Sequence, residues 1–280
     1  MTSLRSDDLR ISCCVIARGR LQHLHRMLTG LARQHRAPDE VVVVSMGDSD
    51  VVAIAETEPV VTAVEMVDHA DHDPLPLARA RNIAAASTTG DLVVFLDVDC
   101  IASPELVADY VRQRRPGLLM GNVRYLPPNV PEGPTDWSVA DLRRLGRAHP
   151  ARPNPATAER TAAYELFWSL NFAVERATWR ALGGFDERYR GYGGEDTDLG
   201  FEARRRCVPA WFLSGAEAFH QHHETHDPPV HHLRDIVENA RRFHDKWGVW
   251  PMTGWLDAFA RNGLIVWDDH RIDIAAGGVP

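Results

Sequence analysis

Two short acidic segments and one cluster of histidines carry the side chains best suited to chemistry. In the first segment, Asp97-Val98-Asp99 closes the apolar run Val93-Val94-Phe95-Leu96. Residues two apart in a strand point the same way, so both carboxylates are expected to stand together at a strand end. Hard oxygen donors there suit a divalent cation carrying a diphosphate; the same acids could equally cap the next helix. In the second, Gly183-Gly184-Phe185-Asp186-Glu187 precedes Gly191-Tyr192-Gly193-Gly194-Glu195-Asp196-Thr197-Asp198-Leu199. Glycines let backbone approach a ligand closely. Glu195 and Asp196 open a helix whose dipole favours negative charge, so a carboxylate fixed there is expected to stay ionised. The plainer alternative makes these residues and Asp198 simple helix-start acids. Six of the 14 histidines lie between His220 and His232, as metal ligands or as the lining of a solvated loop.

The surrounding pattern shows what must position these groups. Apolar runs alternate with segments of helical period: Ile11 to Ala17, then Leu21, Leu24, Leu28 and Leu31, then Val41 to Ser45 after Pro38. The rhythm continues with a strand near Val61 to Val67, a helix from Leu77 to about Ala86 entered through Pro76, and a strand Leu92 to Leu96. Ser103-Pro104-Glu105 is expected to cap a further helix. Runs such as VVVV and LVVFL suit strands covered on both faces, which predicts an open α/β sheet with ligands at the carboxyl ends of its strands. Proline-rich stretches, Pro127 to Thr135 and His149 to Thr157, read as mobile loops around a short helix near Val139 to Leu145. A strand Leu170 to Val174, a helix ending at Leu182, a helix from Glu195 to about Arg206 and a strand Ala210 to Leu213 follow, within the strand-like run AWFLSGAEAF. Leu233, Ile236, Val237, Ala240, Phe243 and Trp247 then fall at helical period up to Gly248, a helix expected to dock on the main body.

With these elements in place a resemblance becomes specific. LARARNIAAASTTGDLVVFLDVD, residues 77–99, resembles the donor-binding signature of family 2 glycosyltransferases and of the β-galactosyltransferases related to them. Ile16-Ala17-Arg18-Gly19-Arg20-Leu21 resembles the arginine-rich turn that holds uridine and phosphates in the latter, and the GGFDE and GGED elements match as well. The resemblance implies a GT-A fold, with an open, mostly parallel sheet and helices on both faces. It implies a nucleotide-binding half at about 10–100, an acceptor-binding half at 101–228, and a helical extension, 229–280, packed on the same domain. It also implies an inverting, metal-dependent transfer from a nucleotide-diphosphate sugar, a UDP-sugar first, to a carbohydrate or other hydroxyl. Donor binding falls to Arg18, Arg20, Asp48, Arg81, Asp97 and Asp99, with Asp97 on ribose or metal. Asp99 and His220, with His222 or His223 as alternatives to the histidine, would hold Mn2+ or Mg2+. Asp196 would be the base and Glu195 would hold substrate hydroxyls. Acceptor contacts fall to Tyr192, Gly193, Gly194, Trp168 and Asn171, although Trp168 reads equally as core. Tyr192 stands where those galactosyltransferases carry Trp; either ring can stack on a sugar.

Composition narrows the alternatives. The 280 residues, 44% hydrophobic and 25% charged, suffice for one large domain or two small ones. Thirty-nine acids against 31 bases, a net charge of -8, disfavour nucleic acid or an anionic bilayer as partner. The four cysteines sit at no metal-ligand spacing and the opening MTSLRSDDLR leads into no long apolar stretch, so a reduced, cytoplasmic protein without a spanning helix is expected. A sugar nucleotidyltransferase would share acids at a strand end, but no GxxxxGK loop is present. A catalytically inactive nucleotide- or sugar-binding subunit is the other alternative.

Overall fold

The computed structural model describes residues 9–66, 74–128, 130, 137–224 and 226–275. The first half alternates as its apolar pattern requires: β1 (Ile11–Ala17), α1 (Leu21–Ala32), β2 (Glu40–Ser45), α2 (Ser49–Ala55), β3 (Val61–Glu65), α3 (Leu77–Ala86) and β4 (Leu92–Leu96). It continues with β5 (Cys100–Ala102), α4 (Leu106–Arg112), β6 (Leu118–Met120), β7 (Val123–Tyr125), α5 (Val139–Leu145), β8 (Arg147–Ala148), β9 (Glu159–Thr161), β10 (Asn171–Glu175) and α6 (Arg176–Leu182). The last stretch holds α7 (Glu195–Arg205), β11 (Ala210–Phe212), β12 (Ala218–His220), α8 (Leu233–Trp247), α9 (Thr253–Arg261), β13 (Ile265–Trp267) and β14 (Ile272–Ile274).

Eight strands form one sheet in the order β3-β2-β1-β4-β10-β6-β11-β9. The pairings from β3 to β4 and between β6 and β11 are parallel, while β10 and β9 run against their neighbours. Two-residue alternation divides the central strands between two apolar layers. Cys13, Val15, Val94 and Leu96 face a core completed by α1 and α2. Cys14, Ile16, Val93 and Phe95 face one completed by α3, α6 and α7. That is why VVVV and LVVFL carry no polar alternation: neither face meets water. A second sheet, β5-β12-β7-β8, sits at the exit of β4.

Three local expectations change. Ser103 does not cap α4 with its side chain; its hydroxyl is buried without a partner, and Gln34 Oε1 instead accepts the Val107 N–H at 3.0 Å. The run AWFLSGAEAF splits into β11 and β12 in different sheets, because Gly215 and Ala216 turn the chain with φ of 91° and 46°. The strand at Leu170 to Val174 starts one residue later and is antiparallel to β4, a direction no apolar run encodes. Val67, residues 131–135 and the opening residues 1–8 lie outside the described residues.

The tail helix α8 presses on α7 and on the glycine loop before it. Phe243, with Trp247, packs against Tyr189 and Phe201. Asn239 Nδ2 donates to the carbonyls of Arg190 at 2.8 Å and Gly193 at 2.9 Å, and Trp247 Nε1 donates to Asp198 at 2.7 Å. Cys13, Cys14 and Cys100 are buried free thiols and Cys207 is an exposed one. Among the described residues no helix is long and apolar enough to cross a membrane.

Candidate active site

The strand β4 ends inside the protein and its chain turns at once, the Cys100 N–H returning to the Asp97 carbonyl at 2.9 Å. The turn leaves Asp97 part-exposed and Asp99 buried. Backbone pairing then fixes Asp99 against β12, since the Gln221 N–H donates to the Asp99 carbonyl at 2.7 Å. His220 ends β12 and His223 follows two residues beyond Gln221. Their Nε2 atoms lie 3.6 Å and 3.5 Å from the two carboxylate oxygens of Asp99. One ligand atom from each of the three residues lies within 4.8 Å of the others. The sequence treated His223 as an alternative to His220; the fold brings both to Asp99 and leaves His222 exposed, with its carbonyl 3.2 Å from His23 Nε2. Burial first, and then the charge of Arg20, lower the His223 pKa and favour its neutral, ligating form.

Opposite β12, the arginine turn comes in from β1. Gly19 and Arg20 are both left-handed, φ 57° and 51°. Arg20 is the first residue before α1 and its Nη1 pairs with Asp99. The turn is held by Asp48, whose Oδ2 accepts the Gly19 N–H at 2.7 Å while Oδ1 accepts from Asp50 and Val51 as the cap of α2. Asp48 therefore works through backbone, shaping the turn that carries Arg18 and Arg20. Arg18 Nη1 reaches the Met46 carbonyl at 3.4 Å.

The second acidic segment converges on the first through one buried guanidinium. Arg81, on α3, donates from Nη2 to Asp97 Oδ1 and from Nη1 to Glu195 Oε1, each at 3.0 Å. Burial alone would depress its pKa, but the charges of Asp97 and Glu195 outweigh that and raise it. Glu195 opens α7 behind Gly194, whose φ of 95° supplies the left-handed cap a side chain would resist. Asp196 follows, its Oδ1 accepting the Thr197 N–H at 2.7 Å.

Burial opposes the ionisation expected of these acids. Burial raises both pKa values, helped at Glu195 by repulsion from Asp196 and opposed by Arg81 at both. The helix dipole contributes at most about 1–2 kcal/mol, and desolvation of the carboxylates acts against it.

Tyr192 is the neighbour common to both segments: partial burial and then the charges of Asp196, Glu195, Asp97 and Asp99 raise the pKa of its phenol. Its ring, 39% exposed, stacks on His232 at 4.6 Å. The loop geometry behind it requires Gly191, where a Cβ would stand 2.1 Å from an Asp235 oxygen. Gly193 is likewise left-handed and lies against Met252. Trp168 is half-buried with its ring 4.8 Å from that of His149. Asn171 is not brought to the surface of the site. It is fully buried, accepting from Tyr110 at 2.7 Å and donating to the Ala216 carbonyl at 2.8 Å. Sequence reading missed Tyr125, its ring 4.8 Å from that of His220, and Arg152, which lines a cavity with it; neither lies in a motif, and the pairing of β7 with β12 is what brings Tyr125 in.

Comparison with known proteins identifies the family and the fold. Residues 10–242 match the family described as glycosyltransferase like family 2. Over 253 residues the chain is 30% identical to validoxylamine A glucosyltransferase of Streptomyces hygroscopicus subsp. limoneus, covering 79% of this chain and 53% of that protein. The protein of the same name from subsp. jinggangensis is 29% identical, with 57% of it covered. The chain thus spans about half the length of the curated relatives it matches. Among solved structures, S. aureus TarS 1-349 in complex with UDP-GlcNAc superposes with a TM-score of 0.58 at 15% identity, over 84% of this chain and 67% of that one. The mannosyltransferase PcManGT from Pyrobaculum calidifontis, in complex with GDP-Man and Mn2+, gives 0.56 at 18% identity, over 90% and 69%. These structures share the fold, which is GT-A.

Proposed function

Because the chain belongs to glycosyltransferase family 2, we propose that it moves a hexosyl group from a nucleotide-diphosphate sugar, UDP-linked first, to an acceptor hydroxyl with inversion. The observation that carries this reading is the Arg81 bridge, which draws Asp97 of the strand end and Glu195 of α7 onto one arginine. Both curated relatives are named glucosyltransferases, so a glucosyl donor and a polyhydroxylated acceptor are the first to test. Kinship with the β-galactosyltransferases, and a catalytic unit at 1–228 extended by 229–280, belong to the same proposal.

On this reading Arg18 and Arg20 bind the nucleotide and its phosphates. Asp97, whose Oδ1 accepts from Arg81, offers its other oxygen to the ribose. The donor set of one carboxylate and two imidazoles, Asp99, His220 and His223, fits an open site for a first-row divalent ion and suits Mn2+ better than Mg2+, which prefers oxygen alone. When bound, such an ion supplies Lewis-acid stabilisation of the departing diphosphate. Asp196 accepts the acceptor hydroxyl's proton as that oxygen bonds to the anomeric carbon and the bond to the diphosphate breaks on the opposite face. A raised pKa makes its carboxylate a stronger base near neutral pH. Glu195, tied to Arg81, orients hydroxyls, and Tyr192, Gly193, Gly194 and Trp168 form the acceptor wall.

The test is Asp196→Asn. Transfer should fall by about 10²–10⁴-fold, the usual worth of a general base, with UDP affinity retained. Turnover near wild type would remove Asp196 as the base.

A further inference from the structure

Arg152 lies in the segment after β8, its N–H returning to the His149 carbonyl at 3.1 Å. Its Nη1 and Nη2 are shielded from water and donate to none of the described residues. The guanidinium carbon is 5.3 Å from the centre of the Trp168 ring and 5.5 Å from that of Phe212, so it is gripped between aromatic walls. A small cavity of about 20 Å³ opens beside it, bounded also by Tyr125, His149 and Asn154. This pocket adjoins the candidate metal ligands, because Tyr125 packs 4.8 Å from His220 and 5.8 Å from His149.

A guanidinium stripped of water and left unpaired is strongly unfavourable, and aromatic contact recovers only part of the loss. Nearby carboxylates do not reach it: Asp97 and Glu195 hold Arg81, and Asp99 holds Arg20. Burial depresses the Arg152 pKa, opposed from a distance by Tyr125, Tyr110 and Asp196, yet arginine keeps its proton in proteins. One water fits the volume but carries no charge to balance it. An anionic oxygen does both.

We propose that Arg152, with Tyr125 and His149, forms a subsite for an anionic oxygen group, a carboxylate or phosphate ester, carried by the acceptor or by the transferred sugar. The volume admits the tip of such a group and no sugar ring, so the subsite selects for charge at one position of a substrate lying in the adjacent cleft. Calling the ligand a substrate rests on the glycosyltransferase reading; the binding of an anion does not.

Titration calorimetry on the full chain with Mn2+ tests it, using wild type, Arg152→Gln and Arg152→Lys. Glucose, glucuronate and glucose 6-phosphate are titrated with and without UDP, and UDP-glucuronate is compared with UDP-glucose. Wild type should prefer an anionic probe over its neutral counterpart by about 10- to 100-fold, the worth of a charge-assisted hydrogen bond. Arg152→Gln should abolish that preference and Arg152→Lys retain part of it. A preference among free sugars assigns the anion to the acceptor; one confined to the UDP-sugars assigns it to the donor. If no probe is preferred, if the preference survives in Arg152→Gln, or if UDP alone weakens equally in a variant that unfolds at the wild-type temperature, the subsite is wrong. Should Arg152→Gln not fold, Arg152→Lys decides, with loss of part of the preference expected and full retention contrary. Failure of UDP to bind wild type would count against the donor site and leave the free-sugar comparison intact.

Discussion

The two sides of the site are built with opposite charge balance. Around Asp99 one carboxylate faces three basic side chains, Arg20, His220 and His223. Around Arg81 two carboxylates, Asp97 and Glu195, share one guanidinium, and the charge of a third, Asp196, acts on it from nearby. The first side has nitrogen to spare, and on the proposed reading its residues would hold phosphate oxygens and a divalent cation. The second has negative charge to spare in a part-buried environment, which raises the proton affinity of Glu195 and Asp196. A transfer from a diphosphate to a hydroxyl needs this division, one wall receiving charge on the leaving group and the other receiving a proton.

Removing the link between the sides should have the largest effect. Arg81→Met leaves Glu195 buried without its partner, and loss of one member of a buried pair costs about 3–5 kcal/mol; urea unfolding measures this, and a loss under about 1 kcal/mol would show that the bridge is incidental. Next, Asp99→Ala should lower transfer by about 10²–10³-fold, comparable to losing one preorganised electrostatic contact, and should leave the residual rate insensitive to chelator. An equal loss of rate with full chelator sensitivity would place the cation elsewhere. Asn239→Ala removes the two hydrogen bonds to the carbonyls of Arg190 and Gly193, for about 1–3 kcal/mol of stability, and should raise KM for the acceptor more than for the donor.

The smallest effect is on pH. The folded-state pKa of Asp196 is raised, so the native state binds a proton that the unfolded chain has already lost, and stability falls as pH climbs from the ordinary carboxylate range through the raised value. In Asp196→Asn this component vanishes, so the variant's unfolding midpoint should gain on wild type as pH rises through that window and stay level above it. A wild-type midpoint that gains on the variant would mean a depressed pKa. The rate of transfer moves the other way, declining as pH drops and Asp196 takes up its proton.

These contrasts were unevenly legible in the sequence. The apolar runs from Ile11 to Leu96 announce strands buried on both faces, and Leu233 to Trp247 announces its helix, because long periodic segments reflect local burial. The acids at 97, 99, 195 and 196 stand out by spacing and by flanking glycine. Their proton affinities do not, since helix position favours ionisation while burial, a tertiary property, opposes it. Three-residue strands such as β6, β7 and β12 owe their existence to pairing across more than 90 residues, so the routes that carry His223 to Asp99 and Tyr125 to His220 are invisible along the chain. Arg152 lies in a proline-rich stretch that reads as loop.

The most direct test of the central claim is a crystal soaked with Mn2+ and a non-hydrolysable UDP-glucose analogue, with the manganese located by its anomalous signal. The ion should bond Asp99, His220 and His223 and carry the diphosphate, with the sugar between it and the carboxylate of Asp196. A manganese peak on Glu195 and Asp196 instead, or a nucleotide bound away from both acidic segments, would contradict the assignment of one wall to the cation and the other to the acceptor.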